Sequence, residues 1–540
     1  MKFRFLHLVN TLKLVAPFTL ALTTAIASNT SAQAVQFKFT HDSDTPDYVI
    51  DGFNKAGNDW ASNLPDEVNV NIRVHFGQSS NSKALGAARP NMVRIDYDKF
   101  LTNSFRDISS EDDLTAFKNL QIDSGNQGFT NILQALDVDI KNRESANIIL
   151  KEKGFHVEAN KTITEQAQDI FKQLTLEQLN TLDRNQIQFF DSHFSMVMNN
   201  DDKISYKKHE ELESVNDNTL VDNNESFNNK KIWLSRANAK ALDLLSANES
   251  TKFDAEIFIA NNDIWDTSRV YNPNAEVDSN KFDLRSVIQH EIGHALGFLS
   301  GVDVLKLLYT MTSEDDTNQT DKKDKKNQSS HQILRENDLA YVSPMDLFRC
   351  SANSKDKGIF DWSLGSQTYF SIDSCQTNLG EFTDGYIYQI SHWSENGEFP
   401  LGTMNPTLGL GKSLNISDLD LKLLNVIGWD IGRTSTNPSN LGSQIENTTT
   451  IILDSSSSDS TTSDSSSNNQ LGKKNYKNIF KQTAPDYDIH RFNRDYYSTS
   501  RGYYFWQEAD YTQATEVPEP TMITGLGIIG LFGWLCRRRQ

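Results

Sequence analysis

Apolar residues recur with two different periods along the chain. Four of them near the beginning have the spacing of one helix face: Val49, Phe53, Ala56 and Trp60. By contrast, VNVNIRVHF at 68–76 alternates apolar and polar residues, which predicts a half-buried strand. DAEIFIAN at 254–261 predicts a second strand. The chain is therefore expected to combine helices and strands.

Helical patterns fill most of the sequence between these two strands. Residues 100–230 are polar and are predicted to form a mostly helical insertion, whose clearest part, 162–182, is rich in strong helix formers. Directly afterwards, KIWLSRANAKALDLL at 231–245 has the spacing of an amphipathic helix. Much later, a helix is predicted to begin after Ser417, with Asp420 completing its capping box.

Both ends of the chain differ in composition from a globular domain. Basic residues precede an apolar run at the N-terminus, and Ala32-Gln33-Ala34 has the form of a signal-peptidase site, so residues 1–34 are predicted to be a signal peptide. Residues 435–475 are rich in Ser, Thr and Asn, which is typical of a flexible linker. Residues 476–516 are rich in tyrosine, and the pattern assigns them no function.

The last segment, 517–540, combines three features in a fixed order. A Pro-Glu-Pro triplet at 518–520 precedes a short apolar run, and arginines follow at 537–539. This order resembles the PEP-CTERM sorting signal of exported bacterial proteins. The resemblance implies a short transmembrane helix, membrane attachment before processing, and an exosortase-type enzyme as partner. An ordinary tail anchor is the alternative.

Composition and charge limit where the protein can be located and which molecules it can bind. The formal net charge of −20 argues against nucleic acid as a partner, because phosphate binding needs a basic surface. Together with the two ends, it predicts an exported protein in the periplasm, on the cell surface or in the extracellular matrix of a Gram-negative bacterium. Of the three cysteines, Cys536 lies in the tail, and an oxidising compartment can join Cys350 to Cys375.

The strongest chemical signal is HEIGH at residues 290–294. His290 and His294 lie one helical turn apart, so both imidazoles can reach one zinc ion, while Glu291 can accept a proton from metal-bound water. Asp283 is predicted to cap this helix. Six apolar residues form its other face: Leu284, Val287, Ile288, Ile292, Ala295 and Leu296.

Beyond the helix the usual pattern breaks. Gly297 allows a sharp turn, but Ser300, a poor zinc ligand, stands where the third histidine of a metzincin signature would follow. Much later, His392 stands in Ser-His-Trp and Met404 in Thr-Met-Asn-Pro. These two blocks resemble leishmanolysin-like metzincins, in which an insertion, here 301–385, separates the glycine turn from the third histidine.

The resemblance implies roles for individual residues. It makes His290, His294 and His392 the zinc ligands, Glu291 the general base, Gly297 the turn glycine and Met404 the Met-turn methionine beneath the metal. Three other third ligands stay open from the sequence: Asp303, the main rival, then His331 and Asp346.

The resemblance also implies a fold and an activity. The expected fold is α+β, with a twisted, mostly parallel sheet, an active-site helix and a mainly irregular C-terminal subdomain, over residues 35–434. The expected activity is zinc-dependent endopeptidase cleavage of a protein or peptide. Two alternatives remain: a catalytically inactive surface or matrix-associated binding protein on the same fold, and a zinc hydrolase acting on non-peptide amides. Calcium binding by the Asp-rich loops is left open.

Overall fold

The computed structural model describes most of the chain between residues 34 and 432, and three short strands after it. The described ranges are 34–77, 85–199, 219–261, 263–303, 341–363, 367–385, 388–395 and 400–432, with strands at 450–453, 503–504 and 507–508. Nearly all of the predicted signal peptide and linker, and the whole sorting tail, lie outside the described residues. Within the described ranges, no helix has both the length and the apolar character needed to span a membrane.

Many of the helices lie in the first half of the described chain. Numbered in chain order, they are α1 Asp47–Ala61, α2 Tyr97–Asp107, α3 Glu111–Lys118, α4 Gln127–Ala135, α5 Arg143–Glu152, α6 Ile163–Gln173, α7 Leu176–Leu179, α8 Arg236–Ala241, α9 Ser268–Tyr271, α10 Leu284–Leu296, α11 Ala352–Lys357 and α12 Asp418–Val426.

Strands form one large sheet and several short ladders. They are β1 Gln36–His41, β2 Asn69–Gly77, β3 Gly86–Asp96, β4 Met196–Asn199, β5 Thr219–Asp222, β6 Lys231–Ser235, β7 Ala255–Ala260, β8 Trp265–Asp266, β9 Phe282–Asp283, β10 Arg349–Cys350, β11 Phe360–Asp361, β12 Tyr369–Phe370, β13 Gly380–Glu381, β14 Thr450–Leu453, β15 Tyr503–Tyr504 and β16 Gln507–Glu508.

The large sheet is mixed. Its order is β14-β1-β2-β7-β3-β15, and β6 and β16 also pair with β3. Strands β1, β2 and β7 are parallel, whereas β3 runs antiparallel to both β7 and β6. The α+β class is therefore confirmed, and the sheet contains an antiparallel strand, β3, that no sequence pattern had indicated.

Helices α1 and α10 pack on this sheet and carry its core. The apolar residues predicted on α1, from Val49 to Trp60, are buried, and the indole N–H of Trp60 donates to the Gln289 carbonyl oxygen at 3.0 Å. The predicted strands at 68–76 and 254–261 are confirmed as β2 and β7, and the helix after Ser417 is confirmed as α12. The elements that carry the site thus share one apolar core.

One predicted helix is partly wrong. Residues 231–235 form strand β6, and only Arg236–Ala241 is helical. The side chains of Ile232, Trp233 and Leu234 are buried because β6 pairs with β3, and this tertiary pairing overrides the local helical spacing. The hydroxyl of Ser235 then caps α8 by accepting from the Asn238 N–H at 3.1 Å.

The helices α2 to α7 of the predicted insertion have a second apolar core. Aromatic residues of α2, α3, α4 and α6 meet there, and Phe189 joins them from the following segment. In the later insertion, a disulfide joins Cys350 to Cys375. Closing a loop of that size stabilises the folded state by about 3 kcal/mol in the chain-entropy model.

Acidic residues lie where the helical insertion meets the core that contains α1 and α10. Asp113 of α3 accepts from the Asn425 amide of α12, and the Asp430 N–H donates to Asp66 at 3.4 Å. Burial, followed by the neighbouring Asp430, raises the pKa of Asp66 to about 7. Burial also raises the pKa of Asp113 to about 6 and that of Asp107 well above its ordinary value.

These raised pKa values predict a pH-dependent stability. A carboxyl group whose pKa is raised in the folded state destabilises that state when it is ionised. The free energy of unfolding therefore falls as pH rises from about 4 towards 7. Asp66→Asn should remove a cost of about 4 kcal/mol at pH 8. Thermal unfolding at pH 5 and pH 8 should therefore show a smaller loss of Tm in Asp66→Asn than in the unsubstituted protein. Asp356→Asn, at an exposed position on α11, is the control. An unchanged pH dependence in Asp66→Asn would contradict this account.

Candidate metal centre

Helix α10 carries the HEIGH motif, and a pocket borders His290 and Glu291. His290, Glu291 and His294 are all buried. The helix begins directly after Asp283, whose carboxylate accepts from the Ser286 N–H at 3.2 Å, which confirms the predicted cap. The apolar face of the helix packs on the sheet, and this packing fixes the direction in which both imidazoles point.

Gly297 ends the helix in a left-handed conformation with φ of 119°. A side chain there would be strained, and its Cβ would lie 3.1 Å from the Cβ of Asn238. The turn brings the Phe298 carbonyl oxygen within 2.9 Å of His294 Nδ1. Gly297 therefore orients an imidazole as well as reversing the chain.

His392 lies beside the two helix histidines, although 98 residues separate it from His294 in the sequence. The Nε2 atom of His290 is 3.1 Å from that of His294 and 3.2 Å from that of His392. Within the described ranges, these three side chains are the one group of His, Cys, Asp or Glu residues close enough to hold a metal ion.

The opposite nitrogen of each imidazole faces a backbone carbonyl. His290 Nδ1 lies 2.8 Å from the Thr403 oxygen, and His392 Nδ1 lies 3.0 Å from the Gln389 oxygen. A carbonyl oxygen can only accept, so each Nδ1 carries the proton and each Nε2 presents a lone pair. Three lone pairs therefore face one another across about 3 Å.

This arrangement fits a zinc ion. A tetrahedral zinc bound at 2.0–2.1 Å would separate its nitrogen ligands by roughly 3.3 Å, close to the distances seen here. Burial lowers the pKa of His290 to about 4 and that of His392 to about 3, and it lowers the pKa of His294 well below its ordinary value. The imidazoles are thus neutral at pH 7, as metal ligands must be.

Asp303, the main rival as third ligand, has another position. Its carboxylate accepts from the backbone N–H groups of Ile390 and Ser391, at 2.8 and 3.0 Å, and from the Ser391 hydroxyl at 2.6 Å. It belongs to no metal-binding group of described residues. Asp303 therefore holds the segment that delivers His392.

Ser300, which stands in place of the expected histidine, also contacts this segment. Its N–H donates to the Ser391 hydroxyl at 2.7 Å, and its own hydroxyl donates to Asp346 at 2.6 Å. Asp346 further accepts from the Gly301 N–H at 2.8 Å and lies outside the histidine cluster. His331, the remaining alternative ligand, lies outside the described residues.

Met404 is fully buried and packs against helix α10 at Gly293. A Cβ on Gly293 would overlap the Met404 sulfur, so the close approach depends on glycine. The neighbouring Thr403 carbonyl is the one that orients His290. The predicted Met-turn residue thus packs directly against helix α10.

Asp420 links the Met404 segment to His392. Its buried carboxylate accepts from the Thr403 N–H and from the Trp393 indole N–H, both at 2.8 Å. The backbone N–H of Trp393 donates to the Met404 carbonyl oxygen at 3.1 Å. The sequence indicated Asp420 only as part of a helix cap, because its capping pattern is local and its partners are distant.

Glu291 has no hydrogen-bond partner for either carboxylate oxygen among the described residues, although it is fully buried. Burial raises its pKa well above the ordinary value. Strand β3 lies close by: a Cβ on Gly86 would be 2.6 Å from Glu291 Oε1. A buried carboxylate without a partner costs free energy. Glu291 is therefore suited to accept a hydrogen bond from a molecule that binds in the site.

A small open pocket lies beside His290 and Glu291. Its other walls come from α10, from the start of β3 and from the segment after Met404: Leu85, Ser286, Val287, Asn405, Pro406, Thr407, Leu408 and Leu414. Most of these side chains are apolar, so the pocket is suited to an apolar group.

Removing one histidine should abolish tight zinc binding. His392→Ala should lose the bound zinc, whereas Asp303→Ala should bind it about 10–100-fold more weakly, because Asp303 only positions the ligand segment. Zinc content after dialysis, and affinity by competition with a chelator, measure both effects. The exposed His156→Ala variant is the matched control. A larger loss in Asp303→Ala than in His392→Ala would make Asp303 the ligand.

Adding one methyl group under the helix should disturb the site. Gly293→Ala forces Met404 away and should destabilise the fold by about 1–3 kcal/mol, more than the gain in helix propensity. Urea unfolding measures the loss. Gly125→Ala, where a Cβ meets nothing within 4 Å, should be neutral. Equal stabilities of the two variants would show that the contact at Gly293 is not tight.

Comparisons of this chain with models of known protein families, with curated proteins and with solved structures find no match.

Proposed function

We propose that this chain is an exported zinc-dependent endopeptidase of the metzincin type. The observation that carries the proposal is the convergence of three imidazole lone pairs beside a buried carboxylate that has no hydrogen-bond partner among the described residues. Three histidines leave a fourth position open on a tetrahedral ion, and catalytic zinc sites have this composition. When bound, zinc would polarise a carbonyl group and lower the pKa of a water molecule.

Glu291 is suited to the proton transfers of such a reaction. Its carboxylate follows His290 directly in the chain and borders the same pocket. It would accept the proton of the attacking water and then donate it to the leaving amine. Its burial keeps bulk water away from that exchange, and Gly86 leaves room for its side chain.

The shape of the cleft supports a peptide substrate. The pocket beside His290 and Glu291 is lined by Leu85, Val287 and Leu408, which favour an apolar side chain next to the cleaved bond. Strand β3 begins directly after Leu85, which lines this pocket, and a strand edge can pair with an extended chain. A non-peptide amide would use the metal centre without needing this strand.

Export and sorting form part of the proposal. The predicted signal peptide 1–34 and the Pro-Glu-Pro tail support a protein that acts outside the cytoplasm and is processed by an exosortase-type enzyme. The disulfide between Cys350 and Cys375 is compatible with an oxidising compartment.

Replacing the general base should separate binding from catalysis. Glu291→Gln should retain one zinc per chain and lower kcat on a peptide library about 10²–10⁴-fold. Zinc content and hydrolysis are measured on the same preparation, with the exposed Glu152→Gln as the matched control. Undiminished cleavage in Glu291→Gln would contradict the mechanism. Stoichiometric zinc without cleavage by any variant would favour an inactive binding protein.

A further inference from the structure

The disulfide between Cys350 and Cys375, which has no part in the proposed reaction, braces a short three-stranded sheet. Strands β10, β12 and β13 pair antiparallel in that order, and Cys350 belongs to the first of them. Cys375 lies in the turn that connects the other two. Each strand has only two residues, so few backbone hydrogen bonds hold the sheet together. The disulfide therefore supplies much of its constraint.

The last strand of this sheet leads directly to the third histidine. Just after β13, the Thr383 N–H donates to the His392 carbonyl oxygen at 3.1 Å. Beside this contact, Phe382 pairs with Trp393, and the two rings stack with their centroids 5.0 Å apart. The backbone of His392 is thus held by residues whose position the short sheet fixes.

A second set of contacts connects Cys350 to the same histidine. Asp346, four residues before Cys350, accepts from the Ser300 hydroxyl at 2.6 Å. The Ser300 N–H donates to the hydroxyl of Ser391 at 2.7 Å, and Ser391 directly precedes His392. The segment that ends at the disulfide therefore also supports the residue before the ligand.

The turn that carries Cys375 has an unfavourable backbone. Ser374 and Cys375 have φ of 56° and 65°, which are left-handed conformations that residues other than glycine rarely adopt. The Asp373 carboxylate opposes this cost by accepting from the N–H groups of Gln376 and Thr377, at 3.0 and 2.9 Å. The disulfide adds a covalent constraint. Without it, we expect the turn to relax and the pairing of β12 with β13 to loosen.

The disulfide is also placed where a thiol or a disulfide reagent can approach it. Both cysteines line one small open pocket, whose wall includes Asn119 and Gln121 from the helical insertion. Thiol–disulfide exchange needs access to a sulfur atom, and this pocket provides a route.

We propose that formation of the Cys350–Cys375 disulfide completes the metal centre by fixing His392, so that zinc affinity depends on the oxidation state of these cysteines. His290 and His294 are held by α10, whereas the position of His392 depends on the short sheet. In the oxidation, one cysteine thiolate attacks the disulfide of an oxidising protein and forms a mixed disulfide. The second cysteine displaces that protein as a dithiol, which takes up two electrons and two protons.

This dependence has a consequence for when the protein becomes active. A newly made chain in a reducing cytoplasm has two thiols at these positions and binds zinc weakly. After export, disulfide formation raises the zinc affinity, so that activity appears only outside the cytoplasm. The consequence rests on the proposed function, whereas the effect on zinc affinity does not.

The first test measures zinc affinity without any need for hydrolysis. The oxidised full chain is compared with the same protein after reduction by a phosphine and alkylation of its thiols, and both reagents are removed before competition with a chelator. The reduced form should bind zinc about 10–100-fold more weakly, because His392 is no longer held in place. Oxidised protein alkylated without reduction controls for modification of Cys536. Equal affinities would overturn the proposal.

The second test removes the disulfide without adding alkyl groups. The double variant Cys350→Ser, Cys375→Ser should show the same loss of zinc affinity, and amide hydrogen exchange of the zinc-free protein should be about tenfold faster at 381–383 and 392–394. Leu150→Ala, which opens the separate core of the helical insertion, should change neither quantity.

Two results of this second test would overturn the proposal. Unchanged exchange at 381–383 and 392–394 would show that the disulfide does not hold the ligand segment. Unfolding of the whole chain in both disulfide-free forms would show that it supports the entire fold rather than the metal centre.

Peptide cleavage separates this proposal from the proposed function. With limiting zinc, the double cysteine variant should cleave about tenfold more slowly than the oxidised chain, and saturating zinc should restore its kcat. A loss of kcat that persists at saturating zinc would contradict an action through zinc affinity. If no protein cleaves peptides, the proposed function fails, and the zinc affinities and exchange rates alone decide the role of the disulfide.

Discussion

Three imidazole lone pairs directed at one point, away from bulk water, are the constraint on which the site depends. Neutral histidines in this geometry have no proton to share, because each Nδ1–H is engaged by a carbonyl oxygen. A cation at the centre would satisfy all three. The glycine turn, the Met404 segment and the Ser391 segment can be understood as the devices that bring the nitrogens together.

Those segments come from distant parts of the chain and are connected through two buried carboxylates. Asp303 holds the backbone just before His392, and Asp420 holds both Trp393 and Thr403. Each carboxylate accepts several hydrogen bonds, so its burial is compensated. Helix α10 contributes rigidity because its apolar face is fixed on the sheet. The two long insertions can therefore interrupt the chain without displacing the ligands.

The sequence predicted the parts of the site whose patterns are local. The HEIGH helix, its Asp283 cap and Gly297 could be located from spacing alone, and the α1 and β2 patterns were confirmed in the same way. His392 and Met404 came from resemblance, and the structure places both at the helix. Strand β3 and the strand 231–235 could not be predicted, because their buried positions result from pairing with each other across a long insertion.

The roles of Asp303 and Gly293 show the same limit. Spacing made Asp303 a rival ligand, and only the folded chain shows its carboxylate turned towards Ile390 and Ser391. Gly293 has no signature in the sequence, since its importance lies in the Met404 side chain beneath it. Local sequence patterns predict whether a segment is a helix or a strand. The roles of Asp303 and Gly293 instead depend on contacts with residues that are distant in the sequence.

The most direct test of the central claim is X-ray absorption at the zinc edge on the purified, zinc-loaded protein. The account predicts a first shell of three imidazole nitrogens and one further light atom at about 2.0–2.1 Å. A first shell with fewer than three imidazoles, or one made of oxygen alone, would contradict it. In that case His290, His294 and His392 would not be the ligands of a single zinc ion.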